Sequence, residues 1–234
     1  MVSFSYVFAQ NENNENVPTV KSEKFSTGMD VFTDIWMNVP DNITAKTINI
    51  GTNYYFTYNS PIGKSGKTPF SFAIGIGLGT HNFHSNALPK VDTNNISYFD
   101  KIPDSVTING DIHKVNYKKN KISIAYFDIP MEFRYKSKSE FRAALGFKIG
   151  FLLSSHTKYK GDEYMDFNND NQFDSYSVKM NKIPNIESMR YGIKAEVGYK
   201  WINVMGYYSL SSLFKDGKGP DTYPISVGLA LRPF

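Results

Sequence analysis

A stretch of acidic and amide residues between positions 166 and 174 has the residue types and spacing of a calcium-binding loop. Calcium takes several carboxylate and amide oxygens at about 2.3–2.6 Å, and side chains at alternate positions can converge on one ion. Asn171 stands where the motif prefers glycine and Ser177 where it prefers an acid, so an ordinary polar surface loop is the alternative interpretation. The candidate calcium ligands, at motif positions 1, 3, 5 and 9, are Asp166, Asn168, Asp170 and Asp174.

Histidine and serine side chains near residue 81 suggest a second kind of chemistry. We expect His81, His84 and Ser85 at one rim of the fold, where barrel enzymes that deacylate lipid A carry a similar His–Ser pair with an acid. Catalysis needs the base and the nucleophile within hydrogen-bonding distance, which proximity in the sequence does not establish. His113 and His156 follow at irregular spacing, which is a poor metal signal. We therefore predict neither catalytic residues nor a histidine metal site here.

The composition excludes several classes of protein. The chain has 234 residues and no cysteine, which excludes a disulfide framework, a thiolate metal site and cysteine catalysis. It contains no run of about 20 apolar residues, the length that a membrane-spanning helix needs. The net charge of +4 is too diffuse for a nucleic-acid-binding surface, which shows a clustered basic stripe. We therefore predict no nucleic-acid partner.

Beyond residue 25 most apolar residues recur at every second position, which is the period of a β-strand. Between positions 70 and 79, Phe, Ile and Leu alternate with Ser, Ala and Gly. This pattern predicts eight strands and no amphipathic helix. The predicted strands lie near 28–38, 47–58, 70–79, 122–136, 141–153, 189–199, 202–213 and 223–232.

The predicted connections alternate in length along the chain. The two longest, 84–120 and 159–185, are both odd-numbered connections, whereas 137–139 is very short. Short turns at one rim and long loops at the other are typical of outer-membrane barrels, and tilted strands of about ten residues cross a bilayer. The predicted fold class is all-β: an eight-stranded antiparallel up-and-down transmembrane β-barrel with both termini in the periplasm.

The other face of these strands combines glycines with charged residues. Glycine weakens a strand and adds no solubility to a water-facing surface, but it suits the narrow interior of an eight-stranded barrel. We therefore assign the apolar face to lipid and the charged face to the lumen. Because an unpaired buried charge costs several kcal/mol, these charges should pair and plug the barrel. The predicted inward charges are Asp30, Asp34, Asp128, Glu132 and Glu196 with Arg134, Arg142, Lys148, Arg190 and Lys194.

The segment YFDIPMEFRY at 126–135 resembles the tyrosine–x–acid–Ile–Pro strand of the PorT-like outer-membrane β-barrel proteins of the Bacteroidetes. The following segment, 144–150, is similar to that family's next strand, and 191–199 and 208–210 are similar to later ones. The chain ends in Phe234, the terminal aromatic residue that insertion machinery recognises in such proteins. The resemblance implies an outer-membrane barrel with a part in surface-protein export or envelope assembly.

The N-terminal residues carry a processing signal. Residues 1–9 are interpreted as the remnant of a signal peptide, with Val7 and Ala9 at the −3 and −1 positions of a cleavage site; a disordered apolar tail is the alternative. Residues 10–24 have almost no apolar side chains and are predicted to form a flexible periplasmic segment. The barrel domain is predicted to span residues 25–234 in the cell outer membrane.

Three functions are compatible with this barrel. The leading one is a non-enzymatic accessory or structural component of surface-protein export or envelope assembly, with outer-membrane lipid and proteins of an envelope complex as partners. The second is a binding protein or adhesin that acts through the loops at 84–120 and 159–185. The third is a lipid A-modifying enzyme. We predict a plugged interior and no cofactor, with calcium in the loop at 166–174 as the one candidate ion.

Overall fold

The computed structural model of the protein describes residues 24–63, 68–108, 110–164 and 175–232. Every regular element in these ranges is a β-strand, and none of the described residues forms a helix long and apolar enough to cross a membrane. The thirteen strands are β1 (Phe25–Met37), β2 (Ile50–Pro61), β3 (Phe70–His84), β4 (Ala87–Val91), β5 (Ser97–Lys101), β6 (Ser105–Ile108), β7 (Asp111–Lys114), β8 (Tyr117–Lys136), β9 (Phe141–Asp162), β10 (Ser175–Asn181), β11 (Met189–Tyr199), β12 (Ile202–Ser209) and β13 (Tyr223–Leu231).

Eight of these strands close into one barrel. In order around the ring they are β1, β2, β3, β8, β9, β11, β12 and β13, and β13 pairs with β1 to complete the closure. Every pairing in the ring is antiparallel, and the ring order follows the chain order. The predicted eight-stranded up-and-down barrel is therefore confirmed.

The pairing registers determine how strongly the strands tilt. A path through directly opposed residues starts at Phe25 and returns to β1 ten residues further on, at Ile35. With strands about 4.8 Å apart and a rise of about 3.3 Å per residue, this offset gives a tilt of about 40°. Each residue then rises by about 2.5 Å along the barrel axis. The path is Phe25, Tyr58, Ile74, Met131, Phe147, Ile193, Tyr208, Ile225 and Ile35.

The apolar face of the strands points outwards and forms a lipid-facing belt. Ile76 and Leu78 on β3 and Leu145 on β9 each expose more than half of their surface. Soluble monomers rarely expose an apolar surface of this extent, and the charged face is buried in the lumen, so the predicted orientation of the two faces is confirmed. The short turns at 137–140 and 200–201 mark the periplasmic rim, and the longer connections mark the outer rim.

Aromatic residues near the strand ends divide between the two faces. Tyr55 and Tyr207 are buried inside the barrel. Each is one residue out of phase with an outward neighbour, Tyr54 or Tyr208, and successive residues of a strand point to opposite faces. Outward-facing aromatic residues near the strand ends are 45–56% exposed and form an aromatic girdle: Tyr54, Tyr58, Tyr199, Trp201 and Tyr208.

The two long outer connections are not simple loops, which corrects the prediction for 84–120 and 159–185. The first contains two hairpins, β4–β5 and β6–β7, and the outer part of β8. The second contains the outer part of β9, which remains paired with β8 as far as Tyr117 and Gly161. Strand β10 pairs with the outer part of β9. Strands of four or five residues are too short to show a period in the sequence. We call β4–β7, β10 and the outer parts of β8 and β9 the outer lobe.

Candidate functional site

The inward face of the barrel gathers ionisable side chains in the lumen. Eight of the ten predicted inward charges are buried, and Arg134 and Arg142 are half-buried near the periplasmic rim. Arg232, directly after β13, is a further buried base that the prediction left out. Among the described residues, the lumen therefore holds five acids and six Lys or Arg side chains, which corrects the predicted balance of five and five.

The network nearer the outer rim, here called the upper lumen network, runs from Asp34 through His81 and Arg190 to Asp128. His81 Nδ1 lies 2.8 Å from Asp34 Oδ2, and His81 Nε2 lies 2.6 Å from Arg190 Nη1. A guanidinium group can only donate, so Nε2 accepts and Nδ1 donates its proton to Asp34. Arg190 Nη2 donates to both carboxylate oxygens of Asp128 at 3.0 Å, and Lys148 Nζ lies 3.6 Å from Asp128 Oδ2.

A lower lumen network is centred on Lys194. Its Nζ atom lies 2.8 Å from Asp30 Oδ2 and 2.6 Å from Glu196 Oε1. Glu132 Oε1 lies 3.6 Å from the same ammonium group. Arg232 pairs with Glu196, and its Nη2 atom lies 2.9 Å from Asp30 Oδ1. Because β12 and β13 separate β11 from β1, the Lys194–Asp30 pair spans the interior of the barrel.

Arg134 closes the periplasmic end of this network. Its Nη1 atom donates to Asn59 Oδ1 at 2.7 Å and to the hydroxyl oxygens of Ser26 and Thr57 at 3.2 Å. Its Nη2 atom lies 2.6 Å from Glu132 Oε2. The side chain of Arg134 therefore reaches from β8 to the inner faces of β1 and β2.

Arg142 forms no ion pair with an acid of β8, whereas Lys148 pairs with Asp128. Glu132 on β8 is directly opposite Gly146 on β9. Arg142 lies four residues before Gly146, which places it about 10 Å nearer the periplasm than Glu132 along the barrel axis. Arg142 Nη1 donates instead to the backbone oxygen of Arg232 at 3.0 Å.

Buried tyrosine rings fill the space between the charges. Each ring lies under a cation at a distance at which the negative face of the ring attracts it. The closest such contacts join Arg190 to Tyr126 at 3.9 Å, Lys148 to Tyr207 at 4.0 Å and Lys194 to Tyr55 at 4.5 Å, each measured to the ring centroid.

Two glycines leave the room that the upper network occupies. A Cβ atom on Gly150 would lie 2.5 Å from Asp128 Oδ1 and 2.8 Å from Arg190 Nε. A Cβ atom on Gly79 would lie 2.5 Å from Asn53 Oδ1 and 2.8 Å from Asp128 Oδ2. Glycine at these inward positions is therefore a packing requirement of the buried ion pair.

An apolar cluster, here called the cap, closes the outer end of the lumen. The ring of Trp36 lies 5.1 Å from Phe83 and 5.3 Å from Phe99, and Phe99 lies 5.7 Å from Phe214. Phe99 is on β5, so the outer lobe contributes to the cap and is seated on the barrel. The buried residues of the cap are Trp36, Ile43, Phe83, Ala87, Phe99, Ile122, Ile124, Tyr126, Ile183, Ile186, Leu213 and Phe214.

A cavity of about 20 Å³ lies between the cap and the upper network. Its lining includes His81, Arg190 and Tyr207 from the network side and Leu213 from the cap. A space of this size accommodates about one water molecule, so it cannot admit an organic solute.

The histidines and serine singled out in the sequence do not form a catalytic unit. His81 is buried in the lumen, which corrects its predicted place at the rim. His84 is three residues further along β3, so its side chain points to the opposite, outward face. Its Nδ1 atom lies 3.3 Å from Asn49 Oδ1. Ser85 Oγ donates to the backbone oxygen of Ala87 at 2.9 Å. The structure therefore brings no His–Ser pair together at these three positions.

The metal predictions have different outcomes. Within the described ranges, no group of three or more His, Asp or Glu side chains is arranged to hold a metal ion. His113 lies on β7 in the outer lobe, whereas His156 lies on β9. The predicted calcium ligands Asp166, Asn168, Asp170 and Asp174 lie outside the described residues, so calcium binding stays a prediction.

Two parts of the lumen were missed from the sequence. Leu229 and Leu231 point outwards, and successive side chains of a strand point to opposite faces. This alternation alone predicts that Arg232 points into the lumen. The cap could be found only in part, since Phe99 and Phe214 come from segments without a regular period.

The family to which the sequence is similar agrees with this architecture. Residues 3–215 match the family described as "Outer membrane protein beta-barrel domain". No curated protein matches the sequence significantly. Among solved structures, a double mutant of the Rh. blastica porin is similar over 89% of this chain and 99% of its own, with 8% sequence identity and a TM-score of 0.21. Because the family match spans most of the sequence, the chain belongs to the outer membrane protein beta-barrel domain family and resides in the outer membrane.

Proposed function

We propose that this protein is a non-enzymatic outer-membrane barrel that serves as an accessory or structural component of surface-protein export or envelope assembly. The observation that supports this most directly is the pairing of charges across the lumen, above all Arg190 with Asp128 and Lys194 with Asp30. An eight-stranded barrel is only wide enough for its own side chains. The protein then acts through its outer lobe, its rims and its lipid-facing surface. The resemblance to PorT-like proteins of the Bacteroidetes is the basis for placing it in export or assembly.

The geometry of the polar residues supports the non-enzymatic part of this proposal. A general base must reach the proton that it removes. Both ring nitrogens of His81 are engaged, one by Asp34 and one by Arg190. The hydroxyl group of Ser85 is directed to a backbone oxygen. Lipid A isolated with and without the gene is therefore expected to give identical mass spectra, and a gene-dependent change in acylation would contradict the proposal.

A second candidate function is binding of an external ligand by the outer lobe. The lobe has an apolar cluster of its own, which packs Leu88, Ile102, Val115 and Tyr159 together. The cap also fixes the lobe to the barrel through Phe99. A surface fixed in this way on a sealed barrel suits a binding protein or adhesin.

Cross-linking in native membranes distinguishes the two candidates. The tagged full-length protein would be cross-linked, extracted in mild detergent and compared with a variant whose β6–β7 hairpin, residues 105–114, is replaced by a short Gly-Ser turn. An assembly component should retain its envelope partners in both forms and change the surface-protein profile when its gene is deleted. Recovery of external ligands by the wild type alone, with no envelope partner and an unchanged surface profile, would favour the binding protein and contradict the assembly role.

A further inference from the structure

A row of one histidine and three lysine side chains crosses four adjacent strands on the outward surface of the sheet. His84 on β3 is directly opposite Lys121 on β8, Lys121 is opposite Lys158 on β9, and Lys158 is opposite Lys179 on β10. Directly opposed residues point to the same face of a sheet. We call these four residues the basic row.

The basic row lacks a balancing acid among the described residues. Opposed side chains have Cβ atoms about 4.5–5.5 Å apart, and like charges at that distance destabilise a sheet. In the part of the chain that the structure describes, none of the row's lysines has a carboxylate oxygen within 4.0 Å. Lys121 Nζ donates instead to the neutral side-chain oxygen of Asn82, at 2.6 Å.

Neighbouring residues strengthen the positive potential. Lys119 and Lys160 are opposite each other, two residues further outwards on β8 and β9. The row is thus part of a cationic surface that extends over several registers of the sheet.

The basic row lies at the level of the lipid headgroups. The last apolar outward residues below it are Ala125 on β8 and Leu153 on β9. Lys121 lies four residues beyond Ala125, and Lys158 lies five residues beyond Leu153. Four residues correspond to about 10 Å along the barrel axis. This distance places the row above the hydrocarbon and within reach of the polar headgroup region. A lysine can also lay its methylene stem along the surface and direct its ammonium group to the lipid interface.

We propose that the basic row binds the phosphate groups of lipopolysaccharide, the phosphorylated glycolipid of the outer leaflet. Three features support this occupant: the sign of the charge, the height above the belt and the continuity of this face with the lipid-facing surface. Each phosphate accepts several charge-assisted hydrogen bonds from ammonium groups. A bound phosphate also offsets the repulsion between the opposed lysines. The inference depends on the outer-membrane location and not on a role in export or assembly.

Binding to the full-length protein in detergent micelles tests this inference. The probes are bisphosphorylated lipid A, the same lipid A with its phosphates removed, and inorganic phosphate. The wild type should bind the bisphosphorylated form at least about tenfold more tightly than the dephosphorylated form. The variant Lys121→Gln/Lys158→Gln/Lys179→Gln should lose this preference. The control Lys138→Gln/Lys200→Gln/Lys215→Gln removes the same charge from exposed positions elsewhere and should keep it.

Thermal stability gives a second, independent readout. Without lipid, the row variant should melt at or above the temperature of the wild type, because the substitution removes like-charge repulsion. With bisphosphorylated lipid A, the wild type should gain more stability than the row variant, since only the wild type retains the site. An unchanged preference in the row variant, or an equal loss in the control, would overturn the proposal. Inorganic phosphate that binds as tightly as lipid A would also overturn it, because the row would then recognise a free anion.

Discussion

The guanidinium group of Arg190 on β11 donates to both carboxylate oxygens of Asp128 on β8, at 3.0 Å each. The two strands are not neighbours, because β9 lies between them. His81 and Lys148 contact the same pair from β3 and β9, so one buried cluster joins four strands. The cluster both fixes the relative positions of these strands and occupies the space through which a solute would pass.

Replacing Arg190 with alanine should lower the free energy of unfolding by roughly 3–5 kcal/mol, because Asp128 is left buried with its main partner removed. Urea unfolding in detergent micelles measures this change. The double variant Arg190→Gln/Asp128→Asn should lose less than the sum of its single variants, as expected for residues in contact. Lys200→Ala, at an exposed turn, should stay within about 0.5 kcal/mol of the wild type. Equal stability of the Arg190 and Lys200 variants would show that the pair does not stabilise the barrel.

The glycines of the barrel provide a matched pair of substitutions. Gly150→Ala should destabilise the protein by about 1–3 kcal/mol, since its Cβ atom would lie 2.5 Å from Asp128 Oδ1. Gly206→Ala should be neutral or slightly stabilising, because no described atom lies within 4 Å of the added carbon. The melting temperatures of both variants in one detergent test this difference. Similar losses in the two variants would mean that strand flexibility, and not the space around Asp128, explains the effect.

Arg134→Ala should loosen the periplasmic end of the barrel and lower its melting temperature in detergent. The side chain is 19% exposed, so solvent partly screens its interactions with Glu132 and Asn59. We therefore expect a loss of about 1–2 kcal/mol, smaller than that of Arg190→Ala. Lys138→Ala, exposed at the neighbouring turn, is the control. A loss for Arg134→Ala that equals or exceeds the loss for Arg190→Ala would contradict this ranking.

The barrel itself could be predicted because its strands are long and one face is uniformly apolar. Over ten or more residues, the period of two in β3 and β9 specifies both the strand and the direction of its side chains. The same parity places Asp30, Asp128 and Lys194 in the lumen, where the structure has them buried. These predictions depend only on local alternation, which one sequence contains.

The contacts inside the barrel could not be predicted in the same way. The pair of Lys194 with Asp30 joins residues 164 positions apart, and its geometry depends on the ten-residue offset of the closed ring. His81 was placed at the rim because its neighbours were interpreted as a loop, whereas β3 continues to His84. The strands β4 to β7 of the outer lobe were missed because four or five residues are too few to show a clear period in the sequence.

Calcium binding by residues 166–174 is a further prediction. Calcium should protect the segment 159–185 from protease in the intact protein, since a bound ion holds several oxygen ligands of a loop together. Asp170→Ala should abolish the protection, whereas Asp111→Ala, on β7, should leave it unchanged. Limited digestion with added calcium or with chelator gives the readout. Identical digestion patterns under the two conditions would leave only a polar surface loop.

The central claim is that the barrel is plugged by its own side chains and transports nothing through its centre. Planar-bilayer recording of the purified, folded protein tests this claim most directly, with folding checked by the heat-dependent shift on a gel and an open porin as the positive control. The lumen networks and the cap predict that the wild-type protein shows no stable conductance at any applied voltage that the bilayer tolerates. Stable ohmic channels that depend on the folded protein would contradict the claim.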